Sequence, residues 1–297
     1  MEKQRNTCIE LLRLFAALWV MYYHGYSLIE RGSMFSNGRI AVDFFFLLSG
    51  FFFLKSAIKL DDKPFFKNLF TFIWKRFKPL AITFGICMIF VLIFYYQHYE
   101  GFLYVDPFGY LWFVPHLMIV LALYYVLRKL IKRNIVFNIV VAIISMLCFV
   151  ALFIPLTDYG IFRGIASVGL GILISQIPKL EFSQAKLFSM LMYILLFLAI
   201  TIVAIIAPAH TIQDPLCLLV LFPAILYFAN QVEWGCKPLN LVCSVSFGLY
   251  AYQTVARVLE DNSIITSGSS LALIVIILAA LDVCIKHLVK LLKKHPN

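Results

Sequence analysis

Two ionisable residues share an apolar run at the start of the chain, Arg13 and His24 within LLRLFAALWVMYYH over residues 11–24. Ionisable side chains are costly inside a bilayer, so they persist where they pair, line a wet cavity or do chemistry. Read as an α-helix, the eleven-residue separation is about 16 Å at ~1.5 Å per residue, about half the hydrocarbon thickness. Eleven steps of about 100° total roughly 1100°, which returns the second side chain to within about 20° of the first. One helical face then carries a cation at one depth and an imidazole at another. An imidazole with its ordinary pKa of about 6.5 suits proton exchange at neutral pH.

The element that carries this pair is one of many like it. Of the 297 residues 63% are hydrophobic and 13% charged, and the mean hydropathy is +0.93; a soluble domain carries nearer ~25% charge. These values describe an all-α integral membrane protein, a polytopic bundle with room for about ten transmembrane helices. Apolar runs place the helices near 8–28, 40–58, 79–97, 111–128, 135–153, 161–177, 187–207, 215–230, 241–260 and 269–290. Turn chemistry or charge separates them, as at Asp61-Asp62-Lys63-Pro64, Asp106-Pro107-Phe108-Gly109, residues 155–160 and residues 233–238. Residues 1–297 are expected to form a single transmembrane domain with no appended soluble domain. The first run contains Arg13, lacks a small-residue cleavage site and is long enough to span, so it is expected to remain as the first helix.

The net charge of +10 does not point to nucleic acid, because basic residues beside spans report topology and attraction to anionic lipid. With both termini cytoplasmic, ten spans leave only Arg31, Arg39, Arg163 and Arg257 of the 25 Lys and Arg residues on the outer side. The inner side collects the rest, among them Lys3, Lys59, Lys63, Lys293 and Lys294. Arg13 then lies toward the cytoplasm and His24 toward the outer half. The outer four are all Arg, the better residue for forked hydrogen bonds to carboxylates, phosphates or sugar oxygens. The alternative for each is a helix cap or a local partner such as Glu30, Asp43 or Asp158. Seven cysteines, scattered singly through apolar stretches, show neither metal-site spacing nor a disulfide framework and read as packing residues. No metal site is expected.

Four further segments stand out. The second helix opens GRIAVDFFFLLSGF over 38–51, with an acid at Asp43 and small residues, Ser49 and Gly50, that allow close helix contact. Trp74-Lys75-Arg76-Phe77-Lys78-Pro79 is a cation cluster ending in a proline read as the start of the third helix. The fourth helix begins at Tyr110-Leu111-Trp112-Phe113-Val114-Pro115-His116, and the ninth reads Ser244-Val245-Ser246-Phe247-Gly248-Leu249-Tyr250-Ala251-Tyr252-Gln253. His116 follows Pro115 in the fourth helix and is either structural or part of a ligand path. His98, His210, His287 and His295 fall in expected loops or the tail and read as solvated.

In this order, from about residue 6 to residue 260, these segments resemble the membrane-bound acyltransferase family 3, the O-acetylases of bacterial surface glycans. The carrying residues are Arg13 with ten residues before His24, the Val42–Phe51 segment, Arg76 three before Pro79, Leu111-Trp112-Phe113, Arg163 followed by Gly169 and Gly171, and Ser246-Phe247-Gly248-Leu249-Tyr250. The resemblance implies a ten-helix bundle in a bacterial cytoplasmic membrane that transfers acetyl from cytoplasmic acetyl-CoA, or another acyl-CoA, to a hydroxyl at the outer side. Acetyl-CoA is a donor substrate, and no permanently bound cofactor is implied. The acceptor would be a carbohydrate or lipid-linked glycan, and the partners the lipid bilayer and glycan-assembly proteins.

Under that resemblance Arg13, Lys75, Arg76 and Lys78 would meet the CoA phosphates. His24 would take the acceptor's proton or carry the acyl group, with Asp43 as a buried acid that orients it. Arg163, Trp112, His116, Ser246, Tyr250 and Gln253 would line the acceptor path. The chain departs from the family pattern at Ile73, where an arginine is frequent, and at Gln253, where many relatives have a histidine. Two other readings use the same residues: a glycan transporter or exporter, and a non-catalytic membrane partner of polysaccharide assembly.

Overall fold

The computed structural model describes residues 5–25, 35, 37–57, 65–96, 109–152, 159–206 and 213–292. Among these the regular structure is entirely helical. The elements are α1 (Thr7–Tyr23), α2 (Gly38–Phe51), α3 (Phe53–Ala57), α4 (Phe65–Tyr96), α5 (Phe113–Leu130, after a 3-10 turn at Gly109–Trp112), α6 (Asn134–Ala151) and α7 (Tyr159–Ile174). They continue with α8 (Ala185–Ile206), α9 (Gln213–Leu216), a π segment Cys217–Leu221, α10 (Phe222–Val232), α11 (Lys237–Cys243), α12 (Ser246–Ala251), α13 (Gln253–Asp261) and α14 (Gly268–Leu292). Six described stretches are long and apolar enough to cross a membrane: Phe65–Phe94, Phe113–Leu130, Asn134–Ala151, Ala185–Ile206, Gln213–Val232 and Gly268–Leu288. Their outer faces are greasy. Phe66, Phe70 and Trp74 on α4, for example, are 82%, 70% and 47% exposed, which suits lipid rather than water.

Three expected helix boundaries are corrected. Pro79 does not start a helix but lies inside the 32-residue α4, where its missing N–H leaves one turn of the ladder incomplete without ending it. The expected helix over 40–58 breaks at Phe52 into α2 and α3. The expected helix over 241–260 is three pieces. The hydroxyls of Ser244 and Ser246 bond back to the carbonyls of Leu241 and Cys243, competing with the backbone ladder where α11 gives way to α12. His287 lies on α14, exposed, and not in the tail. The roles expected of Lys3, Arg31, Lys59, Lys63, Lys293 and Lys294 in the charge asymmetry, of Glu30 and Asp158 as partners, and of His98, His210 and His295, concern positions outside the described residues.

The chain divides into two units. The first comprises the described parts of Met1–Gly38, Leu80–Leu111 and Trp234–Asn297. Here Asn6 caps α1 by accepting from the Cys8 N–H at 3.0 Å. The start of that helix is pinned by Thr7 N–H to the Trp234 carbonyl, 2.7 Å, and by Cys236 N–H to Thr7 Oγ1, 2.7 Å. α1 packs on α11 and α12, and α12 packs on α14, with Gly248 against Ala279.

The second unit comprises the described parts of Arg39–Pro79 and Trp112–Glu233. Its frame is set by glycines on α7. A Cβ on Gly171 would collide with the Leu47 carbonyl oxygen, and one on Gly50 with that of Val168, so α2 and α7 meet backbone to backbone. Gly164 receives Phe46 and Val120 side chains at 3.0 and 3.1 Å from its would-be Cβ, and Gly169 sits beneath Tyr124 and Ser145. The Tyr124 hydroxyl donates to the Ile165 carbonyl at 2.8 Å and lies 3.3 Å from Ser145 Oγ, joining α5, α6 and α7. Gly50, one of the small residues expected to permit close helix contact, does so, and Gly171 on α7 meets α2 from the other side.

Candidate functional site

In the first unit α1 is uninterrupted from Thr7, and His24 follows as its C-cap with helical dihedrals, φ −76° and ψ −1°. The eleven-residue helical spacing between Arg13 and His24 therefore holds, at about 16 Å along the axis. Arg13 is not isolated, since its Nη1 donates to Glu10 Oε1 at 2.9 Å. Glu10 is buried, and the guanidinium is one-third exposed, so the pair offers a cation whose far side faces outward. The His24 imidazole is half-buried and meets the Tyr23 ring edge-on at 4.9 Å between centroids. Ser246 and Tyr250 are buried on α12, the helix packed against α1, and Gln253 opens α13 with its Nε2 donating to the Leu249 carbonyl at 2.9 Å. Its Oε1 is buried without a partner among the described residues. That is an acceptor left for a donor from elsewhere.

A further polar group in this unit was not singled out from the sequence. Thr83 Oγ1 on α4 donates to the Asp282 carboxylate on α14, 3.1 and 3.2 Å, and Lys286 Nζ donates to both Asp282 Oδ2, 2.6 Å, and Thr83 Oγ1, 2.7 Å. The i,i+4 spacing of Asp282 and Lys286 was the available signal. Together they fasten the second half of α4 to α14.

In the second unit Asp43 and Arg163 do meet. Arg163 Nε and Nη2 donate to the two Asp43 oxygens at 3.0 and 2.5 Å, a fork of the kind only arginine makes. The residues come from α2 and α7, 120 positions apart, and are 1% and 5% exposed. Asp214, at the head of the 213–232 stretch, adds a second carboxylate at 3.5 Å from Arg163 Nη1. Two acids thus share one guanidinium. Asp214 was missed from the sequence because it stands alone beside Pro215 in a connecting stretch. Only the pairing of α7 with this segment reveals it.

Arg76 turns inward, away from Lys75 and Lys78. Its Nη1 donates to the Ser49 carbonyl at 3.3 Å, and its Nη2 donates to the Phe52 carbonyl at 3.0 Å and to the Ser56 hydroxyl, while the guanidinium lies 5.0 Å above the Phe72 ring. Arg76 thereby ties α4 to the α2–α3 break. Lys75 and Lys78 are exposed. Arg76 therefore clamps the fold, while Lys75 and Lys78 face outward.

Trp112 and His116 lie one turn apart on the approach to α5. The His116 Nδ1 is 2.6 Å from the Trp112 carbonyl oxygen, the two rings meet edge-to-face at 5.5 Å, and Trp112 contacts Phe46 at 6.1 Å. Phe46 follows Asp43 by one turn on α2, and Gly160, beside His116, precedes Arg163 by one turn on α7. The N-terminal parts of α2, α5, α7 and the 213–232 stretch thus gather Asp43, Arg163, Asp214, Trp112 and His116 at one end of the second unit.

A family model described as an acyltransferase domain matches residues 6–285. No curated protein matches the chain, and no solved structure does. Since that match runs from the residue that caps α1 to the last turns of α14, with apolar membrane-length helices between, the chain belongs to acyltransferase family 3 and is a multi-pass membrane acyltransferase.

Proposed function

We propose that this acyltransferase is an O-acetyltransferase that takes acetyl from cytoplasmic acetyl-CoA and delivers it to a hydroxyl of a cell-envelope or exported carbohydrate, working in a bacterial cytoplasmic membrane. The observation that carries the reading is the unbroken helix from Thr7 that sets Arg13 and His24 about 16 Å apart on one face. A ten-span arrangement with both termini inside puts the exposed part of Arg13, with Lys75 and Lys78, on the donor side to attract the CoA phosphates. His24 then lies deeper along the same helix. As the acceptor oxygen attacks the thioester carbonyl, His24 takes the hydroxyl proton; the carbon–sulfur bond breaks, and the proton passes to the departing thiolate. The products are the acetyl ester and CoA thiol. Asp43 acts as a positioning residue, because it holds Arg163 in the orientation from which an acceptor would be met. That Asp43, Arg163 and Asp214 meet supports parallel entry of the second, sixth and eighth expected spans from one face.

The test is transfer from acetyl-labelled acetyl-CoA in membranes that hold equal amounts of the wild type, His24→Ala and Arg13→Ala. Loss of transfer by about a hundredfold or more is expected for His24→Ala, the scale of a general base. Arg13→Ala should act mainly on the KM for acetyl-CoA. Undiminished transfer in His24→Ala overturns the assignment. Loss of glycan export with no acetyl transfer in any sample favours a transporter.

A further inference from the structure

A hydrogen bond to a carbonyl oxygen assigns a histidine tautomer, because the carbonyl can only accept. His116 Nδ1, 2.6 Å from the Trp112 carbonyl, must therefore carry the proton. In the neutral ring Nε2 is then the lone-pair nitrogen, and it has no hydrogen-bond partner among the described residues. The ring is half-buried, as is Trp112. On the side facing α7 stands Gly160: a Cβ there would lie 3.1 Å from Nε2 and 3.3 Å from Trp112 Cε3. Lacking that side chain, α7 sets no Cβ against the acceptor nitrogen and the indole edge. One turn further along α7 the Arg163 guanidinium is held by Asp43 and Asp214.

An aromatic surface, a fixed hydrogen-bond acceptor and a forked donor braced by carboxylates match a pyranose ring. The ring offers C–H faces to an indole and hydroxyls that both donate and accept. We infer that His116 and Trp112 form the acceptor's sugar subsite, with Nε2 accepting a hydrogen bond from a ring hydroxyl and Gly160 keeping that approach open. The inference rests on the reading of this chain as a carbohydrate O-acetyltransferase. It adds a specificity rule: a site built around a hydroxyl donor discriminates against the analogue that lacks it.

Binding and chemistry are read separately so that the two ideas fail separately. Affinities of the full-length protein in nanodiscs for methyl glucoside, methyl galactoside and methyl mannoside, and for their deoxy derivatives, are measured by saturation-transfer NMR. Acetyl-CoA consumption is measured on the same wild-type preparation. At least one methyl pyranoside should bind, and one of its deoxy derivatives should bind about tenfold more weakly, the scale of one neutral hydrogen bond. His116→Ala should weaken the parent sugar by the same factor while abolishing the difference between parent and deoxy sugar. His116→Gln, whose side-chain oxygen can reach the Nε2 position, should restore both. Gly160→Ala, which sets a methyl beside Nε2 without removing it, should reproduce the alanine effect.

Equal affinities for His116→Ala and wild type, a deoxy preference that survives the substitution, or no binding of any pyranoside overturns the subsite. If Ala and Gln lower affinity alike while both proteins remain folded, His116 acts only through packing, and the subsite is again refuted. Absence of acetyl-CoA consumption by the wild type, with His116-dependent sugar binding intact, would overturn the acetyl-transfer reading and leave the sugar subsite standing.

Discussion

Replacing Arg163 by Met should be among the most damaging single changes in this protein, and its cost should fall when a second substitution removes Asp43's charge. Arg163 makes the forked ion pair with Asp43, which is 1% exposed, and also serves Asp214. Arg163→Met keeps the side chain's approximate length but removes the forked donor from the buried Asp43 carboxylate and an ion-pair partner from Asp214. Removing one partner of such a pair costs about 3–5 kcal/mol. Asp43→Asn is milder, because Arg163 retains Asp214 at 3.5 Å and the amide oxygen still accepts one of the two forked bonds. The loss should be about 1.5–3 kcal/mol, that of one charge-assisted hydrogen bond. The double variant should be more stable than Arg163→Met alone by about 1–3 kcal/mol, since the stranded buried charge is gone. The assay is reversible unfolding of the four purified proteins in mixed detergent micelles as the SDS fraction rises, followed by tryptophan fluorescence. A single cost that is equal for Arg163→Met and Asp43→Asn, or a double variant whose loss is the sum of the singles, would refute the charge-balance argument.

Other consequences follow from the same geometry. Gly171→Ala places a methyl against the Leu47 backbone and should destabilise by about 3 kcal/mol or more in the same unfolding assay, whereas Gly85→Ala on α4, with nothing within 4 Å, should stabilise by about 0.5–1 kcal/mol. Arg76→Lys loses the fork that serves the Ser49 and Phe52 carbonyls and should lower stability by about 1–3 kcal/mol; Lys75→Ala and Lys78→Ala, both exposed, should change it by less than about 0.5 kcal/mol yet raise the KM for acetyl-CoA. Lys286→Met strands Asp282, 5% exposed, and should cost more than Asp282→Asn, which leaves a partly exposed ammonium able to reach the interface; the difference is read from paired unfolding curves.

Composition and period were enough to establish an all-helical membrane protein, because a bilayer core admits backbone only where its hydrogen bonds close within the segment. Helical spacing was enough to put Arg13 and His24 on one face, since α1 runs unbroken between them and local repeat determines the angle. Gly50 was legible for a similar reason, since a missing side chain has one steric meaning wherever backbones meet, whereas the matching role of Gly171 came only with the packing of α7.

Partnership was not legible. The sequence left Arg163 divided between a local acid and a ligand, and only the packing of α2 and α7 joins it to Asp43 across 120 positions and then to Asp214. Arg76 read as one of three neighbouring cations, yet an α-helix turns successive residues by about 100°, so one faced the α2–α3 break while its neighbours faced outward. Pro79 carried the signal of a helix start, and α4 overrode it because one lost hydrogen bond does not end a long apolar helix with neighbours on both sides of it. What the sequence determined was therefore everything governed by local period and solvent preference. Which charges balance which, and which acceptor atoms stay open for a ligand, were decided only when distant helices came together.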